Sequence, residues 1–181
     1  MNYMIRNPRF TCLTFIGIFL SLLAPIMAET LQLPKNQPIY SLDLPEGWTQ
    51  EVDKDGDFKC APSDQSSGPY TMQIIAMPAI QTKTEMKEKL PPLAKSMGDT
   101  TKQTEFEVGD LEESKNGNEV PFTGLRADGK TPEGDSKVTV LQAFEPQPGK
   151  WYVILTVGME AADTAHNDAY EAIYDSIQSI K

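Results

Sequence analysis

From Glu105 to Gly158 the chain alternates apolar and polar residues in successive runs: Phe106 with Val108, Val120 to Ala127, Val138 to Phe144, and Trp151 to Val157. Successive side chains of an extended strand point to opposite faces, so an alternation of period two marks half-buried strands. The links between the runs are too short for helical crossovers. Asn116 with Gly117, Asp128 with Gly129, and Pro148 with Gly149 mark the expected turns. Strands joined by such short links run antiparallel, so this third of the chain reads as a long antiparallel meander.

The flanking segments place this meander in an α+β domain. Tyr40, Leu42 and Leu44 alternate with Ser41 and Asp43, a strand closed by Pro45, Glu46 and Gly47 and resumed at Trp48. Trp48 to Val52 and Asp57 to Ala61 form hairpin arms around Lys54, Asp55 and Gly56, and Tyr70 to Met77 adds another strand. Thr82 and Glu85 make a capping box, with Met86, Leu90, Leu93 and Met97 following at helical spacing. Pro91 and Pro92 interrupt that stripe, which predicts a kink or two short helices ending near Gly98. A last helix carries Ala169, Ile173, Ile177 and Ile180 on one face and Asp168, Glu171, Asp175 and Gln178 on the other, with His166 in its first turn. The expected fold is an antiparallel sheet flanked by helices, an α/β/α sandwich.

The N-terminus specifies a destination. Arg6 and Arg9 precede an apolar run from Phe10 to Ala24, and Pro25 to Ala28 ends on a small residue. That is the layout of a secretory signal peptide over residues 1–28, cut after Ala28. The reading places the domain in the periplasm or outside the cell. Left uncut, Phe10 to Ala28 would serve as a signal anchor with the domain still outside. Residues 29–38, with two prolines and no periodicity, read as a leader, and residues 39–181 as one domain. Beyond the signal segment the chain holds 14 basic and 26 acidic residues, a net charge of −12. So acidic a surface repels nucleic acid and anionic lipid, and favours basic protein faces, cations or neutral ligands. Cys12 falls within the signal segment, which leaves Cys60 without an internal disulfide partner. Cys60 shares strand parity with Phe58 and reads as a small buried hydrophobe.

The segment LDLPEGW at Leu42 to Trp48, the meander after it, and the ending EAIYDSIQSI at Glu171 to Ile180 resemble the PsbP-like fold superfamily. That group includes the photosystem II extrinsic subunit, a eukaryotic Ran-binding import factor and bacterial envelope proteins of the DcrB type. The resemblance implies an antiparallel sheet sandwiched by helices, with Leu44 and Trp48 in the core and Pro45 and Gly47 in a turn. It also implies an accessory or protein-binding role; no catalytic motif and no cofactor carries over.

Three motifs invite a more specific chemistry. Gly124, Gly129, Lys130 and Thr131 match the phosphate-loop formula, but Pro132 to Asp135 and a β-branched strand follow where that loop requires a helix. The stretch therefore reads as a polar hairpin loop, and no nucleotide is expected. Asp53, Asp55, Asp57 and Asp64 take positions one, three, five and twelve of a calcium loop, with Gly56 in the fourth place where such loops have glycine sixth. They are candidate metal ligands, and equally the residues of a solvated hairpin tip. His166 is the one histidine of the chain, and no nucleophile elbow or cysteine-protease signature accompanies it. With Tyr174, at the margin of the apolar helix face, it marks a possible partner surface. The function expected is that of an exported, non-enzymatic, protein-binding accessory factor of the envelope. A cation- or small-molecule-binding module is the alternative, and an envelope hydrolase comes third.

Overall fold

A computed structural model describes residues 29–52 and 57–180. The signal segment, the Lys54–Gly56 turn, Asp53 and Asp55 lie outside the described residues. The elements in order are β1 (Glu29–Leu33), β2 (Tyr40–Leu44), β3 (Trp48–Val52), β4 (Phe58–Pro62), β5 (Tyr70–Ala76), α1 (Lys83–Thr100), β6 (Thr104–Val108), β7 (Glu112–Lys115), β8 (Pro121–Lys130), β9 (Ser136–Gln147), β10 (Lys150–Met159), α2 (Glu160–Ser176) and β11 (Gln178–Ser179).

The large sheet runs β3-β4-β5-β10-β9-β8-β6, antiparallel throughout, and β7 shares the β8 edge with β6. Its alternating strands present two apolar faces. Odd-numbered Leu125, Leu141, Val153 and Leu155 meet Met86, Leu90 and Ala94 of α1. Even-numbered Phe122, Phe144, Tyr152 and Ile154 meet Ile173 of α2 and the small sheet β1-β2-β11. Each fully buried Leu or Met side chain contributes on the order of 1.5–3 kcal/mol, so both layers are held by hydrophobic burial. The result is the expected α+β sandwich, with one of its helical layers shared by a second sheet.

The structure corrects the sequence reading at several points. The leader is not outside the fold: residues 29–33 form β1, pairing with β2 in register Leu31 to Leu42, and bury Leu31 and Leu33. β2 and β3 belong to different sheets. Between them Trp48 donates its N–H to Pro45 O at 3.3 Å, and Gly47 takes φ +80°, the left-handed backbone that this position of a type II turn demands. Pro91 and Pro92 do not divide α1, which runs unbroken over 18 residues. Their missing donors leave the carbonyls of Lys87 and Glu88 on the outer side of the helix, where water can serve them, while Met86, Leu90, Ala94 and Gly98 keep one continuous buried stripe. The helix stops at Gly98 only in the sense that Gly98 O accepts from Gln103 N–H while Asp99 O accepts from Lys102, a Schellman pair closed by Lys102 at φ 53°.

Asp128 and Gly129 are not a turn; they continue β8, and the turn is Thr131 to Asp135. Gly129 is there for close approach, because a Cβ would stand 2.6 Å from Gln103 Oε1 and 2.9 Å from the Phe106 ring. The final helix begins at Glu160, directly after β10, so His166 lies in its second turn. Ile180 falls beyond the helix, donating its N–H to Ile39 O at 2.9 Å where β11 joins β2.

Candidate functional site

The β2–β3 turn and α2 enclose a cleft of about 520 Å³. Its apolar surface comes from Pro45 and Trp48 on one side and Ala169 and Ala172 on the other, and three carboxylates, Asp43, Glu46 and Asp168, stand around it. The spacing Asp168, Ala172, Ser176 repeats every four residues, which lines these positions along one edge of the helix. The alanines leave the room: a longer side chain at 169 or 172 would reach the Trp48 side. Trp48 is half-buried, and Ala172, Glu46 and Asp168 are exposed.

The cleft is held rigidly at both ends. At one end Ser176 Oγ accepts the N–H of Asp43 at 2.8 Å and donates to Ile173 O at 2.7 Å, which pins the end of α2 to β2. Asp43 Oδ1 also accepts from the Thr30 hydroxyl at 2.6 Å. At the other end Trp48 packs edge-on against Tyr70 at 6.1 Å and against His166 at 6.3 Å, and His166 lies 5.4 Å from Tyr70. Burial pushes the Tyr70 phenol well above its ordinary value, so it stays neutral. His166 Nε2 is buried without a hydrogen-bond partner among the described residues. None of Asp43, Glu46 and Asp168 takes part in a salt bridge among the described residues.

The residues singled out in the sequence are distributed as follows. His166 backs the Trp48 wall of the cleft. Tyr174 lies eight residues further along α2, roughly 12 Å by helical rise; its ring is 4.5 Å from Phe122 and its hydroxyl shares a hydrogen bond with Ser114 Oγ at 2.9 Å. Tyr174 thus joins α2 to β7 and β8, away from the Trp48 wall. Asp57 and Asp64 do not share a loop, because β4 runs between them. Asp57 Oδ1 accepts the N–H of Ala76 at 3.2 Å, beside the end of β5. Asp64 Oδ1 accepts the N–H of Ser66 at 2.9 Å, and chiefly this bond holds its carboxyl below the ordinary range. Strand geometry puts roughly 17 Å between the ends of a five-residue strand, so the two carboxylates cannot face one ion. Among the described residues no cluster of three or more His, Cys, Asp or Glu could hold a metal. Gly124, Gly129 and Lys130 lie on β8, where no helix N-terminus follows to receive a phosphate.

A second hollow, of about 410 Å³, lies over Arg126 and Gln142 beside β7. Its cation is already matched: Arg126 Nε bonds Asp128 and Nη1 bonds Asp163, both at 3.0 Å. The cleft at Trp48 differs in leaving apolar surface open and its carboxylates without a cation among the described residues, so its chemistry is that of binding a complementary group. Sequence reasoning assigned Trp48 to the core and Asp168 to the solvated helix face; only the fold brings them together.

No family model matches the sequence, and no curated protein matches it. Solved structures match over most of the chain. Cyanobacterial PsbP (CyanoP) from Synechocystis sp. PCC 6803 is similar with a TM-score of 0.63 at 12% identity, covering 87% of this chain and 95% of its own. The Saccharomyces cerevisiae Ran-binding protein Mog1p gives a TM-score of 0.54 at 10% identity, covering 84% and 95%. LpqN, involved in cell envelope biogenesis of Mycobacterium tuberculosis, gives 0.53 at 15% identity, covering 85% and 92%. Likeness at such low identity speaks to architecture, and with the sheet order and helix placement described above it gives the conclusion that this chain has the PsbP-like fold.

Proposed function

We propose that the protein is an exported accessory factor of the cell envelope that binds another protein through the cleft at Trp48, and that it is not an enzyme. The observation that carries this reading is the open apolar surface of Pro45, Trp48, Ala169 and Ala172 with carboxylates around it, on a framework pinned by Ser176 and by the Trp48, Tyr70 and His166 rings. A half-exposed tryptophan in a rigid hollow is the kind of anchor that dominates protein interfaces. The fold supports the same direction: among proteins of similar architecture one is named for binding Ran and another for envelope biogenesis. The arginines and apolar run before Glu29 support the exported location.

The test is site-specific photo-crosslinking in the cells that make the protein, with p-benzoylphenylalanine in place of Ala165, exposed on α2 one turn before Ala169 and outside the cleft lining, and in place of Glu133 in the β8–β9 turn as a control. One protein joined in stoichiometric amount at 165 and not at 133 is expected. No product, or the same products at both positions, would overturn the reading. Mass spectrometry of the same material reads the mature N-terminus, expected at Glu29.

A further inference from the structure

We infer that the cleft takes an arginine or lysine side chain presented by a segment of the partner polypeptide. The inference rests on the binding reading above and names the chemistry of what binds. A purely apolar hollow would be filled by an apolar side chain; this one is not purely apolar. Its floor accommodates the methylene stem of a long side chain, since Ala169 and Ala172 leave a slot against Pro45 and Trp48. The charged groups bordering the cleft are Glu46, Asp168 and Asp43, all acceptors; Asp43 Oδ1 already accepts from the Thr30 hydroxyl, and none of the three is engaged in a salt bridge among the described residues. An indole face attracts a guanidinium or ammonium group more than any other aromatic surface does. Stem and head thus each find a match, the way amphipathic cationic side chains bury a stem and keep the charge beside water.

The volume agrees with this occupant. About 520 Å³ exceeds one side chain and leaves space for the backbone on either side of it, as in the small-ligand pockets of proteins. The charge of the whole chain, −10 with 26 acidic residues, steers a basic partner toward this surface and an acidic one away. Other long residues fail on one count each. A leucine or phenylalanine would use the apolar surface and leave the three carboxylates without a counter-charge, and a glutamate would add a fourth negative charge.

The experiment uses ¹⁵N-labelled protein purified as its cells process it, titrated with the acetylated and amidated pentapeptide Ala-Ala-Arg-Ala-Ala and with its citrulline counterpart, which keeps the shape and loses the charge. Expected are saturable shifts of the Trp48 indole and the Ala169 and Ala172 amides with the arginine peptide, at least tenfold weaker with citrulline, and reduced in Glu46→Gln/Asp168→Asn. Equal binding of the two peptides, or no saturation by the arginine peptide up to 10 mM, would overturn the inference. Tighter binding of free spermidine than of the peptide would overturn the polypeptide source. A protein crosslinked at position 165 through a segment lacking Arg and Lys would overturn the inference and leave the binding reading standing, whereas absence of any crosslink removes both.

Discussion

Asn116→Ala is expected to cost more stability than any other polar deletion on the surface-proximal side of α2. Asn116 is buried in the β7–β8 turn, and its amide clamps the end of the helix: Nδ2 donates to Tyr174 O at 2.8 Å and Ile177 O at 2.7 Å. Its Oδ1 accepts the N–H of Val120 at 2.9 Å and of Asn118 at 3.1 Å. Helix ends leave carbonyls without intrahelical partners, and here a side chain from another element supplies them. After truncation the two carbonyls keep weaker partners, Ile177 N–H on Tyr174 O and Asn118 Nδ2 on Ile177 O, both at 3.3 Å. Each of those two lost bonds is worth about 1 kcal/mol, and the Val120 N–H, left buried and unpaired, costs ~1–3 kcal/mol. The loss is about 3–5 kcal/mol, which for a domain of this size lowers Tm by roughly 6–20 °C. Asn118→Ala, whose exposed Nδ2 bonds Asp175 O at 2.9 Å, is the control and should cost less than about 1 kcal/mol. Urea and thermal unfolding followed by circular dichroism give both values, and hydrogen exchange should show the effect concentrated in residues 174–180. An Asn116→Ala loss no larger than that of the control would refute the clamp.

Three further outcomes can be checked on the same material. Glu113 bonds Lys87 and Lys83 of α1, and these bonds, Lys87 first, pull its carboxyl from 4.5 down to about 2. The folded state thus favours the ionised form, so the contribution is complete above pH 4.5 and disappears as pH falls through about 2; an NMR titration midpoint near 4.5 would mean that α1 and β7 are not tethered there. Burial pushes the Cys60 thiol up to about 12, so Ellman's reagent at pH 8 should label it only as fast as the protein unfolds; rapid labelling of the native protein would contradict its place in the core. Gly158→Ala places a Cβ 2.4 Å from the buried Tyr70 ring, an overpacking worth ~1–3 kcal/mol, and because Tyr70 supports Trp48 and His166 the tryptophan emission should shift as well. An equally stable variant with unchanged emission would show that Tyr70 moves freely.

The strands of the meander and the start of α1 were legible because their signals are local. The β8–β10 meander follows from alternation, and the capping box at Thr82 and Glu85 forms as read, with Glu85 Oε2 accepting the Thr82 N–H at 3.0 Å and the Thr82 hydroxyl accepting the Glu85 N–H at 3.2 Å. Local signals failed where tertiary contacts decide. Leu31 and Leu33 alternate with polar neighbours as a strand should, yet two prolines nearby and no local partner made residues 29–38 look like a leader; β2 lies waiting for them as an edge. Asp128 and Gly129 carry a strong turn pair, but Gly129 is required by Phe106 and Gln103 packing across the strand, not by a bend. Pro91 and Pro92 break helices in isolation, whereas here the buried stripe of α1 outweighs two missing donors.

The cleft was the least legible feature, and the reason is geometric. Its two walls come from residues 43–48 and 168–176, more than a hundred positions apart. On α2 a two-faced reading assigns Ala169 to the core and Asp168 to solvent, and gives Ala172 to neither. The cleft lies along that boundary. Periodicity records which residues a helix turns toward its sheet, but a binding surface is made of apolar atoms that the sheet fails to cover. Whether Trp48 and Ala172 are covered depends on where the Pro45–Trp48 turn leaves the small sheet, and so on Gly47 at φ +80° and on the Ser176 bond to Asp43. The sequence names both residues, and neither gives any sign of the other. Sites of this kind become visible only when the packing of two remote segments is known, because what defines them is the space left between the segments.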